Sequence, residues 1–512
     1  MFRLITVLFF LGIAIVYVLG VAPDMHWMSL GADAADYAAG SEHMRAVRPT
    51  SYPLVITLGW IFARLPVNIF WALGLLSAIS TLVTCAFVFL IVRLRVPPSK
   101  IAPYIGTAAY AASFIVWTQS TLPEVYSITA MLMVMATYFV FKDRLYLAAI
   151  CLSLGIGTHH MIVWALVPLA LYLWWIKRHE HANVSWFKLT VIVTLGFLTY
   201  IQVVVCAHFP NETTNGFRSL FTQTGGALPM AFQLSMNLVP QRTFEFVVLL
   251  FPFTCVGLPL LWYLKRSKEV VLLVTLAALP ILYYYMSIPP QWVTFTVPGI
   301  AFLAVLIGLG AGYAEKQGVH KYVLTLVLVL LLLGMVFNLA YYDVGRNVDP
   351  SPSTARQYFD SLEGLPDGSI VYSHTWGHAW IQTFYYMVQE YNDDAWPDWG
   401  GCRITVVDEG GILYYPQWYH GELERRGVVL PEYIGLDIEQ VGGMLLRRPD
   451  FKDFHREEFL QRFCDTNEGR PLYIALMVDP EVPMRFELKE LVRGTDGKWI
   501  IPRDVVSLGW EA

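Results

Sequence analysis

The sequence predicts a polytopic α-helical membrane protein of about eleven transmembrane helices followed by a C-terminal extracytoplasmic α/β domain. Two observations carry the membrane part. Of 512 residues, 56% are hydrophobic and 15% charged, where a soluble domain carries about 25% charged residues. Long apolar runs also recur up to about residue 340, after which charge becomes dense, and that shift marks the main boundary. The third observation is the placement of Lys and Arg, which orients the spans.

The first apolar run follows Met1-Phe2-Arg3 and resembles a signal peptide. It is about 19 residues long, enough to span, and Asp24-Met25-His26 makes a poor cleavage site, so it is read as an uncleaved first helix. The runs read as spans are 4–22, 69–92, 101–118, 123–141, 145–160, 161–176, 187–207, 245–264, 269–288, 291–313 and 321–340. A further segment, 52–65, has about 14 residues and suits an interfacial helix better than a span.

Charge tests that choice. With the N-terminus cytoplasmic, the inner connections collect Arg3, Arg93, Arg95, Lys100, Lys142, Arg144, Lys177, Arg178, Lys188, Lys265, Arg266, Lys268, Lys316 and Lys321. The outer ones before residue 341 hold only Arg45, Arg48, Arg64, Arg218 and Arg242. If 52–65 spanned, every later connection would invert and the bias would reverse. The eleven-span arrangement therefore divides the chain into a membrane domain, 1–345, and a soluble extracytoplasmic α/β domain, 346–512. The net charge of −5 offers no basic stripe for nucleic acid. Gly-rich nucleotide loops are absent, which disfavours an ATP-driven pump.

Two long outer loops, 23–68 and 208–244, concentrate the candidate chemistry. In the first, Asp33 and Asp36 are three residues apart and share a face if the stretch is helical. Partial desolvation at the membrane surface would raise a carboxylate toward the range of a general base. A solvated loop with ordinary acidic residues accounts for the same spacing. Glu124, after Leu122-Pro123, is expected in the first turn of a span, where the helix dipole favours it; it is equally placed to converge with the first-loop carboxylates in one outer cavity. His159 and His160 fall at the outer turn between the fifth and sixth spans. Phosphate binding, proton relay or simple filling of a polar turn fit them alike, and with no third ligand at metal spacing no metal site is expected. Arg45, Arg48, Arg218 and Arg242 suit a lipid phosphate, or plain anchoring to anionic head groups.

Six cysteines show no metal-type spacing. Cys85, Cys151, Cys206 and Cys255 lie in apolar spans, while Cys402 and Cys464 could pair in an oxidising compartment or remain separate. In the C-terminal part, 369–373, 403–407 and 471–477 read as strands and 380–390 as a helix. Its tryptophans Trp376, Trp380, Trp396, Trp399 and Trp418 suit sugar stacking or core packing equally.

These features in this order resemble the GT-C superfamily of membrane glycosyltransferases, and more closely the protein O-mannosyltransferase-like family with its many bacterial members. Ala32-Asp33-Ala34-Ala35-Asp36 is similar to that family's Gly-Asp-x-x-Glu. Arg48-Pro49-Thr50-Ser51-Tyr52-Pro53-Leu54 stands where it has His-Pro-Pro-Gly-Tyr-Pro-Leu, and Pro123-Glu124-Val125-Tyr126 where it has Ala-Glu-Val-Tyr. The His159-His160 pair after Gly155-Ile156-Gly157 is similar as well. Arg48 for His and Thr50-Ser51 for Pro-Gly are departures that bear on acceptor choice and loop geometry. The resemblance implies a bacterial cytoplasmic-membrane enzyme that moves a mannose-like hexose from a polyprenyl-phosphate donor to an extracytoplasmic protein, glycan or lipid hydroxyl, with inversion and without a cofactor. Asp33 is then the principal base and Asp36 the second, with Glu124 positioning the acceptor. Arg45, Arg48, Tyr52, His159, His160, Arg218 and Arg242 would bind substrate or lipid phosphate. A multispan transporter or lipid flippase, or a silent scaffold, are the competing readings.

Overall fold

A computed structural model describes residues 2–24, 34–44, 52–176, 185–201, 243, 253–286, 294–342, 361–362, 364–373, 404–408, 423–424, 427–431, 456–477 and 486–501. Among the described residues, five helices are long and apolar enough to cross a membrane: Arg3–Gly20, Ile69–Arg95, Lys268–Tyr285, Thr294–Lys316 and Lys321–Ala340. The other six runs read as spans meet shorter apolar helices. In chain order the helices are α1 (Phe2–Gly20), α2 (Ala34–His43), α3 (Pro53–Phe62), α4 (Ile69–Arg95), α5 (Ala102–Ala111), α6 (Phe114–Ser120), α7 (Tyr126–Phe141), α8 (Leu145–Ile156), α9 (Val163–Ile176), α10 (Trp186–Thr194), α11 (Phe253–Gly257), α12 (Lys268–Met286), α13 (Val297–Lys316) and α14 (Lys321–Phe337). Short 3-10 turns at His160–Ile162, Leu195–Tyr200 and Leu258–Tyr263 precede α9, extend α10 and follow α11. With its large apolar side chains exposed along α1, α10 and α14, the chain is an integral membrane protein.

Helix α13 is the axis of the bundle, with 94% of its apolar window buried. It crosses α5 where Gly308 meets Gly106. A Cβ on Gly308 would lie 3.1 Å from the Gly106 Cα and 2.7 Å from Val92 Cγ2. Without water to drive association, helices in lipid gain by close backbone approach, and only small residues permit it.

The run 101–118 is not one helix, as the sequence suggests, but two, interrupted at Ala112-Ser113. The break uncovers carbonyls at the end of α5, which hydrocarbon cannot solvate. Three distant side chains cover them: Tyr17 Oη donates to Ala111 O (2.9 Å), Asn338 Nδ2 to Ala112 O (3.1 Å) and Thr254 Oγ1 to Ala109 O (3.2 Å).

The C-terminal part forms a four-stranded sheet from β1 (Ser369–Ser373), β2 (Ile404–Asp408), β3 (Leu472–Met477) and β4 (Phe486–Glu490), in the order β2-β1-β3-β4. β1 runs parallel to β2 and β3, and β4 closes the edge antiparallel to β3. A helix before β3, α15 (Arg456–Thr466), supplies Phe459, Phe463 and Cys464 to a core shared with Tyr372 and Ile474. Gln461 is bound twice by Trp499: its Nε2 donates to Trp499 O (2.7 Å) and its Oε1 accepts from Trp499 N–H (2.9 Å). The three strands expected from the sequence are present within one residue. β4 and α15 are additions, and the expected helix 380–390 lies outside the described residues. Cys464 is a free, buried thiol; Cys402 also lies outside them.

Candidate active site

Among the described residues, the loop expected on the outer face, 23–68, carries two short helices. α2 begins immediately after Asp33 and carries Asp36; α3 covers 53–62 of the interfacial segment expected over 52–65. They pack closely enough that a Cβ on Gly59 would meet Ser41 Oγ. Arg64 adds a hydrogen bond from Nη2 to Glu42 O (3.1 Å) and an ion pair with its carboxylate (3.5 Å). That pair is half-exposed, and such pairs contribute at most about 1 kcal/mol.

Tyr52 joins this loop to the bundle. It caps the N-terminus of α3 with φ 41° and ψ 56°, a left-handed conformation costing a non-glycine residue about 1–3 kcal/mol. Several contacts impose it. Tyr52 O accepts the Ile56 N–H (3.1 Å), and Leu54 N–H donates to Gly157 O (2.8 Å). The Tyr52 ring lies against Tyr37 of α2 (centroids 5.7 Å apart) and stacks on His159 (5.4 Å, 11° between planes). Gly157 admits this approach, because a Cβ there would come within 3.1 Å of Leu54 Cβ and 2.7 Å of Thr199 Oγ1.

His159 is the hub. Besides Tyr52, its ring meets Tyr126 (5.5 Å), Phe295 (5.4 Å) and His160 (4.0 Å). It is buried, and Nδ1 accepts the Met161 N–H (3.2 Å), capping the 3-10 turn. In that tautomer Nδ1 is unprotonated and the ring neutral. His160 is exposed and borders Tyr283 (6.5 Å) and Phe295 (6.1 Å), which themselves stack at 5.5 Å. Beneath the pair, Thr129 donates to Thr158, which donates to Gly155 O.

Glu124 requires a correction. It lies two residues before α7, which starts at Tyr126, and not in the helix's first turn. Its backbone is held instead by Ser77 of α4: Ser77 Oγ accepts the Glu124 N–H (3.1 Å) and donates to Glu124 O (3.3 Å). The residue is 3% exposed, so its carboxyl belongs to the protein interior. Two residues on, Tyr126 reaches His159.

Of the residues expected to act, Tyr52, His159 and His160 are therefore in contact or one ring apart, and Glu124 is tied to them through Tyr126. Asp36 sits on α2 directly before Tyr37. Asp33, Arg45, Arg48, Arg218 and Arg242 lie outside the described residues. Among the described residues no cluster of three or more His, Cys, Asp or Glu side chains could hold a metal ion. Tyr37, Ser77, Tyr283 and Phe295 were not singled out by sequence. Tyr37 carries a signal, adjacency to Asp36; Ser77, Tyr283 and Phe295 carry none, since their partners are remote in the chain.

The described residues thus define a helical membrane protein in which a loop bearing Asp36 packs on a histidine-centred aromatic cluster. Residues 33–183 match the family described as the protein O-mannosyl-transferase TMEM260 N-terminal domain. The matched stretch starts at Asp33 and includes Glu124, His159 and His160. No curated protein matches the chain. Its structure is similar to ArnT from Cupriavidus metallidurans bound to undecaprenyl phosphate, at 13% identity and TM-score 0.49 over 80% of this chain and 90% of that one. Apo ArnT matches at 13% identity and TM-score 0.45, over 75% and 83%.

Proposed function

We propose that the chain is a glycosyltransferase that moves a hexose from a polyprenyl-phosphate donor to a hydroxyl on the extracytoplasmic face of a bacterial cytoplasmic membrane. The observation that carries this reading is the His159 cluster. One imidazole gathers Tyr52 from the carboxylate-bearing outer loop and Tyr126 from the turn bearing Glu124, inside the stretch matched to the O-mannosyl-transferase domain. In the proposed reaction Asp33, seconded by Asp36, takes the proton of the acceptor hydroxyl. The acceptor oxygen forms the new bond to the anomeric carbon. The bond from that carbon to the phosphate oxygen breaks from the opposite face, its electron pair leaving with the polyprenyl phosphate, so configuration inverts. Glu124 positions the acceptor. Arg45, Arg48, Arg218, Arg242 and His160 meet the phosphate, where preorganised donors are worth most as charge develops.

A transporter is the second reading, and one observation favours it: the interrupted α5–α6 helix, since transporters build ion and substrate sites from discontinuous helices. Here, however, the carbonyls such a site would use are bonded to Tyr17, Thr254 and Asn338, which favours a structural break.

Mass spectrometry of lipids co-purifying with the Asp33→Asn, Asp36→Asn double variant tests the proposal. Enrichment of a polyprenyl-phosphate sugar over a control membrane protein supports it and identifies the sugar. Bulk phospholipid alone, with cellular glycans unchanged in that variant, overturns it in favour of transport or a silent scaffold.

A further inference from the structure

The two adjacent histidines have different surroundings, and those surroundings assign them different work. His159 is 2% exposed, its Nδ1 is committed to the Met161 N–H, and its ring is bordered by Tyr52, Tyr126, Phe295 and His160. A second proton would remove the Nδ1 acceptor and place a cation inside this aromatic cluster. A neutral, enclosed imidazole is a poor partner for a phosphate dianion. It is well suited to hold rings in place.

The ring that lies most nearly parallel to it is Tyr52, at 5.4 Å and 11° between planes. Tyr52 in turn touches Tyr37, the residue after Asp36 on α2. His159 also meets Tyr126, two residues after Glu124. A continuous column of rings, Tyr37–Tyr52–His159–Tyr126, thus runs from the helix bearing the first-loop carboxylate to the turn bearing Glu124. The left-handed backbone at Tyr52 and the Leu54–Gly157 hydrogen bond fix where the column crosses.

We propose that His159 is a positioning residue, not a phosphate ligand: through Tyr52 it sets the first loop, and with it helix α2, against the turn of Glu124. His160, exposed beside it, is the imidazole available to ligand. The kinetic consequence rests on the transferase reading; the docking consequence does not.

The experiment uses the full-length protein in membranes and follows hydrogen–deuterium exchange at the Leu54 amide, whose N–H donates to Gly157 O when the loop is docked. His159→Leu and Tyr52→Leu should each speed exchange there several-fold. His159→Phe and Tyr52→Phe, which keep a ring, should restore protection, and the restoration shows that the protein folds. His159→Leu should also lower kcat by up to about 10²-fold, the scale of a misplacement near 1 Å, with donor KM unchanged. His160→Ala should instead raise donor KM. Exchange indifferent to His159→Leu, or a His159→Phe variant whose main defect is donor KM, overturns the positioning role. Ring-dependent protection in a protein that transfers no sugar from any polyprenyl-phosphate donor keeps the positioning role and removes the transferase reading.

Discussion

Ser77 of α4 holds both ends of one peptide residue: its hydroxyl accepts the N–H of Glu124 and donates to the C=O of the same residue, at 3.1 and 3.3 Å. The arrangement imitates a strand pairing inside a helical bundle. It holds the turn through the Glu124 backbone alone, so a change confined to the carboxyl leaves both bonds in place. Ser77→Ala should therefore destabilise the protein by about 1–3 kcal/mol, the cost of buried groups left unsatisfied. Thermal unfolding in detergent measures this. Glu124→Gln keeps both backbone bonds, so it should lower transfer without a comparable loss of stability, and an equal loss in both would contradict the role given to its carboxyl.

The broken helix makes a second prediction. Tyr17→Phe removes the donor to Ala111 O, and Asn338→Leu the donor to Ala112 O. Hydrogen bonds between membrane helices average about 0.6 kcal/mol, with larger values near 1.7. Each variant should lose stability in that range, and the double variant should lose more than either, because both carbonyls belong to one uncovered turn. Urea or detergent titration of purified variants measures the difference.

The α5–α13 crossing is intolerant of volume. At Gly308 an added Cβ would approach the Gly106 Cα to 3.1 Å, backbone that cannot swing away. Gly308→Val should force the helices apart at a cost of about 1–3 kcal/mol, whereas Gly318→Val, where nothing lies within 4 Å of the new Cβ but φ is +91°, should act only through local backbone strain. Comparing melting temperatures separates packing from conformational cost.

Burial pushes the Cys464 thiol from an ordinary 9.0 up to about 12, with Asp465 adding to the shift. Alkylation requires thiolate, so at pH 8 iodoacetamide should leave Cys464 unmodified in the native protein and label it after denaturation. The sign for stability follows. Above about pH 9 the unfolded thiol ionises while the folded one stays protonated, so the unfolded state holds fewer protons and stability declines as pH rises through that range. Peptide mapping of native and denatured samples measures the labelling, and native labelling at pH 8 would contradict the enclosed position.

Much of the framework was legible from local pattern. Apolar run length locates the five long apolar helices found among the described residues, and short β-branched runs locate β1, β2 and β3 to within a residue. The two elements passed over had signals of their own. Phe459, Leu460, Phe463 and Cys464 make a helical stripe on α15, diluted by seven polar or charged neighbours in Arg456–Thr466. Phe486-Glu487-Leu488-Lys489-Glu490 alternates as an edge strand does. The break in α5–α6 had none, because Ala112-Ser113 is compatible with a continuous helix until the donors that cover its carbonyls are known.

The sequence by itself determined that the chain lies in a membrane, the order of its apolar helices, and which short motifs hold carboxylates and histidines. Those properties follow from hydrophobic run length and from residues within a few positions of one another. Tertiary structure alone decided that Tyr52 stacks on His159, that Ser77 holds Glu124 from 47 residues away, and that α5 is capped by residues 94, 145 and 226 positions distant. Backbone periodicity is a local property, encoded in the repeat of the side chains. Ring contacts and buried hydrogen bonds form only when remote segments are brought together, so the division of labour between His159 and His160 exists nowhere in the dipeptide and arises from what packs against each ring.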